Sequence, residues 1–264
     1  MKLLVSDLDG TLYPKNNNEK EYKRLFSMNK GAIHRWLEAG NKFAVATSRG
    51  IAHADEICDE LNLDIDFIGS NGAEVVYANQ ETSLKSISIN YFFAINQYLA
   101  DNEINATTFA VADGNWYWNA IGKYPARAGE KLFDVMDIPE PSDLDENLTV
   151  PKVSVLVARE SRDQLVEVFK IKFKDLLSIT TSDVDKIDLG PLNTSKGISI
   201  LELAKHYHID KEDIITAGDS ENDIAMFEVS KTSYCIDHAD ESVKKHATNI
   251  VASLYEAIEI ELSK

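Results

Sequence analysis

The chain has 264 residues, 44% of them hydrophobic and 27% charged, which is typical of a globular protein with one large domain or two small ones. Its net charge of −17 argues against nucleic acids, membrane surfaces and polyanions as partners, because these ligands favour basic surfaces. We find no apolar stretch long enough for a membrane span, and Asp7 interrupts the apolar start of the chain too early for a signal peptide. Cys58 and Cys235 lie in apolar segments without metal-ligand spacing, which favours buried thiols and a cytoplasmic location.

The first predicted strand leads into two aspartates. An apolar run from Leu3 is followed by Asp7, Asp9 and Gly10. Because side chains two positions apart point to the same side of an extended chain, both carboxylates should face the region beyond the strand. Their repulsion must be offset by a cation, by a shared proton, or by a division of roles between nucleophile and acid. The pattern Asp-X-Asp-Gly alone also suits a surface turn or a calcium loop, and the apolar strand before it favours a site.

Helix and strand patterns alternate in the segment that follows. We predict a polar loop over 13–23, a helix that begins near Asn29 and ends before Gly40, a strand over 42–47, a helix over 51–61 and a strand over 66–69. The spacing between Asp9 and Thr47 leaves room for one helical crossover, so the two strands should be parallel neighbours. The Ser70-Asn71-Gly72 segment predicts a turn into a hairpin of 73–77 and 86–89.

The pattern becomes strand-rich between about residue 79 and residue 189. Here we predict a helix at 92–99, a hairpin of 107–112 and 115–120 around Asp113-Gly114, a strand over 152–158, a helix over 161–174 and a hairpin of 178–181 and 186–189. After Ser195 we predict a helix to 204, strands over 214–217 and 232–236, and helices over 224–227, 239–246 and 254–262. The chain is thus predicted to be an α/β core domain, residues 1–78 and 190–264, interrupted by an α+β domain at 79–189.

Three predicted core strands end in residues that suit phosphate chemistry, namely Asp7, Thr47 and Asp219. Ligands of parallel sheets bind beyond the carboxyl ends of the strands, so we expect these residues to converge. Lys196 follows a capping Ser195 at a helix N-terminus, where anions are favoured. Each residue also has a structural alternative, because threonine favours strands, lysine is usually solvated, and aspartate caps helices.

Four segments, in order, resemble the signature motifs of the haloacid dehalogenase (HAD) superfamily of phosphatases. They are Asp7-Leu8-Asp9-Gly10-Thr11-Leu12, Ala46-Thr47-Ser48-Arg49, Thr194-Ser195-Lys196-Gly197 and Gly218-Asp219-Ser220-Glu221-Asn222-Asp223. The resemblance spans nearly the whole chain and is closest to the Cof-type branch. It implies a Rossmann-like parallel-sheet core of the α/β class with an inserted α+β cap of the C2 type.

The resemblance also implies catalytic roles. Asp7 would be the nucleophile that becomes an aspartyl phosphate, and Asp9 would protonate the leaving oxygen and later activate water. Thr47 would donate a hydrogen bond to the phosphoryl group. Lys196 would supply a positive charge to the phosphoryl group and keep Asp7 ionised.

Metal and substrate contacts follow from the same resemblance. The implied ligands of Mg²⁺ are Asp7, Asp219, the backbone carbonyl of Asp9, and Asp223 either directly or through water. The implied substrate-binding residues are Thr47, Ser48, Arg49, Lys196 and Asn222. Asn222 would either donate to the substrate phosphate or support Thr47. Ser48 stands where family members commonly carry glycine, and Arg49 suits a structural ion pair as well as a substrate contact.

We therefore predict a Mg²⁺-dependent phosphatase that hydrolyses a small organic phosphate monoester, such as a sugar phosphate, as a monomer or a homodimer. One alternative is a phosphomutase with a similar cap, which would return the phosphoryl group to a sugar. Another is a non-catalytic phospho-receiver or phosphate-binding module, although the single small domain of receivers leaves no place for the insert.

Overall fold

The computed structural model of the chain describes residues 1–77, 80–112, 115–121, 145 and 147–264. The strands are β1 Leu3–Ser6, β2 Asp9–Gly10, β3 Tyr13–Pro14, β4 Lys42–Ala46, β5 Asp66–Gly69, β6 Glu74–Tyr77, β7 Gln80–Leu84, β8 Ile87–Ser88, β9 Ala106–Ala112, β10 Asn115–Ile121, β11 Thr149–Val150, β12 Val153–Val157, β13 Leu177–Asp183, β14 Lys186–Pro191, β15 Ile214–Gly218, β16 Thr232–Ile236 and β17 Asn249–Val251. The α-helices are α1 Glu19–Glu38, α2 Ala54–Leu61, α3 Asn90–Asp101, α4 Arg159–Lys172, α5 Lys196–His206, α6 Ile224–Val229, α7 Glu241–Lys244 and α8 Leu254–Leu262. The chain divides into two units, residues 1–83 with 194–264, and residues 84–193, whereas the predicted domain boundaries lie at 78/79 and 189/190.

The first unit is built on a sheet with the strand order β17-β16-β15-β1-β4-β5-β6-β7. The six strands from β17 to β5 pair in parallel, and β6 pairs with β5 in antiparallel orientation. Strand β1 is central, since it pairs with β15 on one side and with β4 on the other. The carboxyl ends of these three strands therefore lie next to one another, and the predicted α/β class is confirmed.

Helices cover both faces of this sheet because the side chains of β1 are apolar on both sides. Leu4 packs in a cluster with Trp36 of α1 and Ile258 of α8, whereas Val5 packs in a separate cluster with Leu203 of α5. A strand that is buried on both faces is expected in a parallel sheet flanked by helices. Among the residues that the structure describes, the helices are too short or too polar to cross a membrane.

The second unit contains an antiparallel sheet with the strand order β10-β9-β12-β14-β13. Phe92 of α3 and Phe169 of α4 pack in one buried cluster with Val153, Val155 and Val157 of β12. The strands and helices of this unit agree with the predicted α+β segment. The predicted turn at Asp113-Gly114 lies outside the described residues.

The predicted loop over 13–23 is wrong from residue 19 onward, and so is the predicted helix start near Asn29, because α1 begins at Glu19. Asn18 caps the helix and accepts a hydrogen bond of 3.1 Å from the Glu21 amide. Asn29 is buried inside the helix, where its Nδ2 donates to the Leu12 carbonyl at 2.9 Å and its Oδ1 accepts from the Tyr255 amide at 2.9 Å. A polar helix face was mistaken for a loop because its first two turns bury little apolar surface.

The predicted partner of β6 is also wrong. Strand β7, Gln80–Leu84, is the neighbour of β6 in the large sheet. Residues Ile87–Ser88 form β8, which pairs with Thr149–Val150 in the second unit. The polar segment Gln80–Thr82 lacks the apolar alternation that marks a strand, so the sequence pattern missed it.

Candidate active site

Three buried aspartates meet beyond the ends of β1 and β15. Asp7 follows β1 and donates its backbone amide to the Ala217 carbonyl of β15 at 2.8 Å. Asp219 follows β15, and Asp223 ends the single 3₁₀ turn after it. One carboxylate oxygen from each of the three lies within 4.8 Å of the others. The residues are 5%, 4% and 0% exposed, so water does little to screen their mutual repulsion.

Lys196 provides the nearest positive charge to this group. Its Nζ lies 2.6 Å from Asp7 Oδ1 and 2.7 Å from Asp223 Oδ1, and its side chain is fully buried. The residue is the first of α5, whose N-cap Ser195 accepts a hydrogen bond of 3.2 Å from the Ile198 amide. Burial alone would lower the pKa of Lys196, but the charges of Asp223 and Asp7 raise it above its ordinary value. Lys196 is therefore held in its charged form.

The carboxylates are not fully balanced by this one cation. Burial raises the pKa of Asp7 well above its ordinary value, and the charge of Asp223 raises it further, against the opposing effect of Lys196. The pKa of Asp223 is raised for the same reasons, first by burial and then by the charge of Asp219, again against Lys196. A buried acid with a raised pKa is one that a further cation would stabilise in its ionised form.

Asp219 has its own set of donors. Its Oδ1 accepts from Thr11 Oγ1 at 3.1 Å, and its Oδ2 lies 3.0 Å from both Lys15 Nζ and His238 Nε2. Burial raises the pKa of this carboxyl, but the hydrogen bond from His238 and the charge of Lys15 outweigh it, and the pKa is lowered. Asp219 is therefore the most readily ionised of the three aspartates.

The backbone around the aspartates is packed so closely that two positions require glycine. Gly10 has a φ of +105°, and a Cβ there would lie 2.4 Å from Asp219 Oδ2. A Cβ on Gly218 would lie 2.5 Å from Asp223 Cγ. Asp223 Oδ2 also accepts the amides of Asp219 and Ser220, each at 2.9 Å. These contacts fix the orientation of Asp219 and Asp223 without any ligand.

Asp9 lies outside this group of carboxylates. Strand β1 ends at Ser6 and Leu8 lies in a turn, so the alternation that would align Asp7 with Asp9 no longer applies. The Asp9 carboxylate is 52% exposed and forms a two-point ion pair with Arg49, with N–O distances of 2.9 and 2.6 Å. The Arg49 guanidinium lies 5.7 Å from the centre of the Tyr13 ring. Arg49 thus contacts the residue for which the family resemblance implies the role of acid.

Thr47 and Asn222 are held by the loop that follows β5. Thr47 is 1% exposed, and its Oγ1 accepts the Arg49 amide at 3.1 Å. The backbone carbonyl of Thr47 accepts the Asn71 amide at 3.0 Å. The Nδ2 of Asn222 donates to Asn71 Oδ1 at 3.0 Å. Ser48, between Thr47 and Arg49, is half-buried.

The family model of haloacid dehalogenase-like hydrolases matches residues 4–257, and this range includes all four motif segments. The chain belongs to this family. The resemblance of the motifs to HAD phosphatases of the Cof type is thereby confirmed. The chain is therefore an enzyme of the haloacid dehalogenase-like hydrolases, and several of its relatives are named phosphatases.

Individual relatives and solved structures match the chain over nearly its full length. The 5-amino-6-(5-phospho-D-ribitylamino)uracil phosphatase YwtE from Bacillus subtilis is 25% identical over 284 residues, which cover 96% of this chain and 93% of YwtE. The structure of SMU.1108c from Streptococcus mutans UA159 superposes with a TM-score of 0.81 at 21% identity, and the alignment covers 100% of this chain and 99% of the SMU.1108c chain. The HAD subclass IIB sugar phosphatase BT4131 superposes with a TM-score of 0.74 at 21% identity, with 100% and 98% coverage. These superpositions confirm the HAD fold.

Sequence reasoning missed three residues of this candidate site. Lys15 and His238 contact Asp219, and Asn71 connects Thr47 with Asn222. Lys15 lies in the segment that was predicted to be a loop, and His238 follows β16 without any metal-ligand spacing. For Asn71 the sequence Asn71-Gly72 was a signal, because asparagine and glycine tolerate left-handed backbone conformations that other residues avoid.

Proposed function

We propose that the chain is a Mg²⁺-dependent phosphatase that transfers the phosphoryl group of a small organic phosphate first to Asp7 and then to water. The observation that supports this most is the buried group of Asp7, Asp219 and Asp223 around the ammonium of Lys196. Phosphoryl transfer requires positioning and charge neutralisation more than covalent chemistry, and this group offers a carboxylate nucleophile beside a fixed cation.

The first step is attack by Asp7 on phosphorus. Its Oδ1 accepts a hydrogen bond of 2.6 Å from Lys196 Nζ, which leaves Oδ2 as the candidate nucleophile. The bond from phosphorus to the substrate oxygen breaks as the bond to Asp7 forms, and Asp9 gives its proton to the departing oxygen. Asp9 then takes a proton from the water that attacks the aspartyl phosphate. Because Asp9 pairs with Arg49 at 2.6 and 2.9 Å, this ion pair must open and Asp9 must take up a proton from water before it can act as the acid.

The donor set of the three aspartates fits Mg²⁺. Mg²⁺ prefers hard oxygen ligands, which the three carboxylates supply. Asp7 and Asp223 share the single ammonium of Lys196, and Asp219 is paired with an exposed lysine that a metal ion could displace. Asp7, Asp219, the backbone carbonyl of Asp9 and Asp223 are the proposed ligands. When bound, Mg²⁺ would reduce the repulsion between Asp7 and the phosphoryl oxygens.

Substrate recognition is proposed for both units. Thr47, Ser48, Arg49, Lys196 and Asn222 are the proposed contacts to the phosphoryl group. Residues 84–193 are proposed to be the cap that selects the remainder of the substrate. Relatives named for a phosphorylated ribitylaminouracil and for sugar phosphates support a sugar phosphate or a similar metabolite as the substrate class.

The test is the release of phosphate from p-nitrophenyl phosphate, measured with Mg²⁺ and with EDTA. We expect turnover only with Mg²⁺, and losses of at least about 100-fold in kcat for Asp7→Asn and Asp9→Asn. The matched control is Asp55→Asn, which alters an exposed aspartate of α2 and should leave kcat unchanged. Unaltered turnover in both site variants would refute the proposal.

The covalent step has a separate test. Acid quenching during turnover should trap wild-type protein heavier by one phosphoryl group, with the added mass on the peptide that contains Asp7. A phosphomutase would need a sugar bisphosphate as activator and would return the phosphoryl group to the sugar. Phosphate release to water without an activator therefore distinguishes the proposed hydrolase from this alternative.

A further inference from the structure

Three consecutive residues after β5 have backbones in the left-handed region. The φ angles are 48° for Ser70, 56° for Asn71 and 100° for Gly72. This conformation is unfavourable for serine and tolerated by asparagine, and strain of this kind persists where surrounding contacts enforce it. The segment therefore has to be held by specific partners, and these partners indicate what it does.

The first set of partners belongs to the loop after β4. The Ser70 amide donates to the Arg49 carbonyl at 2.7 Å, and the Asn71 amide donates to the Thr47 carbonyl at 3.0 Å. The left-handed turn thus presents two consecutive amides to the Thr47–Arg49 segment. Without that turn, the carbonyl of the buried Thr47 would lose this partner.

The second partner is the N-terminus of α5. Ser199 Oγ donates to the Gly72 carbonyl at 2.8 Å. A Cβ on Gly72 would lie 2.4 Å from the carbonyl oxygen of Ser195, so only glycine permits this approach. Ser195 directly precedes Lys196, and the turn is therefore packed against the residue that caps the helix carrying the buried ammonium.

The third partner is Asn222. Its amide Nδ2 donates to Asn71 Oδ1 at 3.0 Å, while its Oδ1 is buried and has no hydrogen-bond partner among the described residues. Among the described residues, one hydrogen bond therefore sets the side-chain orientation of Asn222, and Asn71 Oδ1 is the acceptor of this bond. The side chain of Asn71 thus fixes Asn222, and the backbone amide of Asn71 fixes Thr47.

We propose that Asn71 is a positioning residue of the phosphate site, which holds Thr47 and Asn222 in the arrangement that binds phosphoryl oxygens. The inference rests on the proposed function, because it assigns Thr47 and Asn222 to the phosphoryl group. Asn71 acts through these two residues and needs no contact with the substrate itself. Removal of the Asn71 side-chain amide should weaken the binding of the phosphoryl group in the ground state and in the transition state alike, so KM should rise and kcat should not change.

The test uses Asn71→Gly, which keeps access to the left-handed backbone and removes only the side-chain amide. We expect the KM for p-nitrophenyl phosphate and the inhibition constant of inorganic phosphate each to rise about fivefold to tenfold, with kcat within about twofold of wild type. The matched control is Asn62→Gly, since Asn62 has a φ of 55° at the end of α2 and no contact to the site. It should change neither constant.

A double-mutant cycle shows whether Asn71 acts through Asn222. Asn222→Ala alone should raise KM at least as much as Asn71→Gly, and the double variant should be no worse than Asn222→Ala alone. Multiplicative effects would refute the inference, as would an unchanged KM in Asn71→Gly. If Asn71→Gly does not fold, Asn71→Asp keeps both the acceptor and the tolerance of the left-handed backbone, and its coupling to Asn222→Ala is measured in the same cycle.

The wild-type protein separates this inference from the function on which it rests. A wild type that neither hydrolyses p-nitrophenyl phosphate nor binds inorganic phosphate would refute the proposed function and this inference with it. An active wild type whose Asn71→Gly variant keeps its KM would refute the positioning role and leave the phosphatase intact.

Discussion

Replacement of Lys196 by methionine tests how the buried carboxylates are balanced. The substitution keeps most of the side-chain volume and removes the ammonium that lies 2.6 Å from Asp7 Oδ1 and 2.7 Å from Asp223 Oδ1. Among the described residues, both aspartates would then have no buried cation beside them. Packing changes little, so the result should report charge rather than volume.

The expected loss of stability is large at neutral pH. Removing one partner of a buried ion pair costs about 3–5 kcal/mol, because the remaining charge stays buried without compensation. For a unit of this size, such a loss lowers the thermal midpoint by about 6–20 °C. An exposed lysine that pairs at the surface is worth less than about 1 kcal/mol, so the same substitution elsewhere on α5 should have little effect.

The loss should depend on pH with a definite sign. The pKa values of Asp7 and Asp223 are raised in the folded protein, so these groups hold protons that the unfolded chain has already released above about pH 4. Stability from such groups is present at low pH and falls as the pH rises through the folded pKa. Without Lys196 the pKa values rise further. The difference in unfolding free energy between wild type and Lys196→Met should therefore be small near pH 5 and largest near pH 8.

The assay is thermal unfolding in EDTA, followed by the fluorescence of Trp36. This residue is 1% exposed in the core of the first unit, and Trp116→Phe and Trp118→Phe in the background remove the other two tryptophans of the chain. The matched control is Lys205→Met, at an exposed position of α5. A loss of equal size at pH 5 and pH 8 would refute the electrostatic reasoning, because a packing defect does not titrate.

Three further substitutions test individual contacts of the site. Gly10→Ala places a Cβ 2.4 Å from Asp219 Oδ2 in a backbone with a φ of +105°, so Mg²⁺ affinity measured by calorimetry should fall by about tenfold to 100-fold. Lys15→Met removes a partly exposed ammonium that pairs with Asp219 at 3.0 Å and would compete with Mg²⁺ for this carboxylate. Mg²⁺ affinity should therefore rise about twofold to fivefold, and a weaker affinity would contradict this competition. Arg49→Lys replaces the two-point contact to Asp9 by a single charge, so kcat should fall between about tenfold and 100-fold while the thermal midpoint stays within about 2 °C.

The motifs could be predicted from the sequence because each is a local pattern with a local cause. An apolar strand followed by aspartate and glycine places Asp7 at the carboxyl end of a strand in a parallel sheet, and the same reasoning applies to Asp219. Ser195 caps α5 and thereby places Lys196 in the first turn, as expected from the sequence. The pairing of β1 with both β4 and β15 then brings these positions together.

The partners of these residues could not be predicted in the same way. Lys15 contacts Asp219 across 204 positions of the chain, and Asn222 contacts Asn71 across 151. Such contacts depend on the path of loops, for which residue type gives little information. The alternation of side chains failed at Asp9, since the strand had already ended at Ser6. Local patterns thus predicted the positions of the acidic residues better than the directions of their side chains.

The cations of the site differ in how readily a ligand can replace them. Lys196 is fully buried between two carboxylates, so its displacement would leave charges that water cannot reach. The Lys15 side chain is 64% exposed and that of Arg49 is 35% exposed, so water can solvate either cation once it leaves its carboxylate. A metal ion would therefore replace Lys15 as the partner of Asp219, and a substrate phosphate would replace Asp9 as the partner of Arg49, each at low cost in free energy. Ligand binding then exchanges the partners of two exposed cations around a fixed ammonium, and neither Asp219 nor Arg49 needs to be unpaired before the ligand arrives.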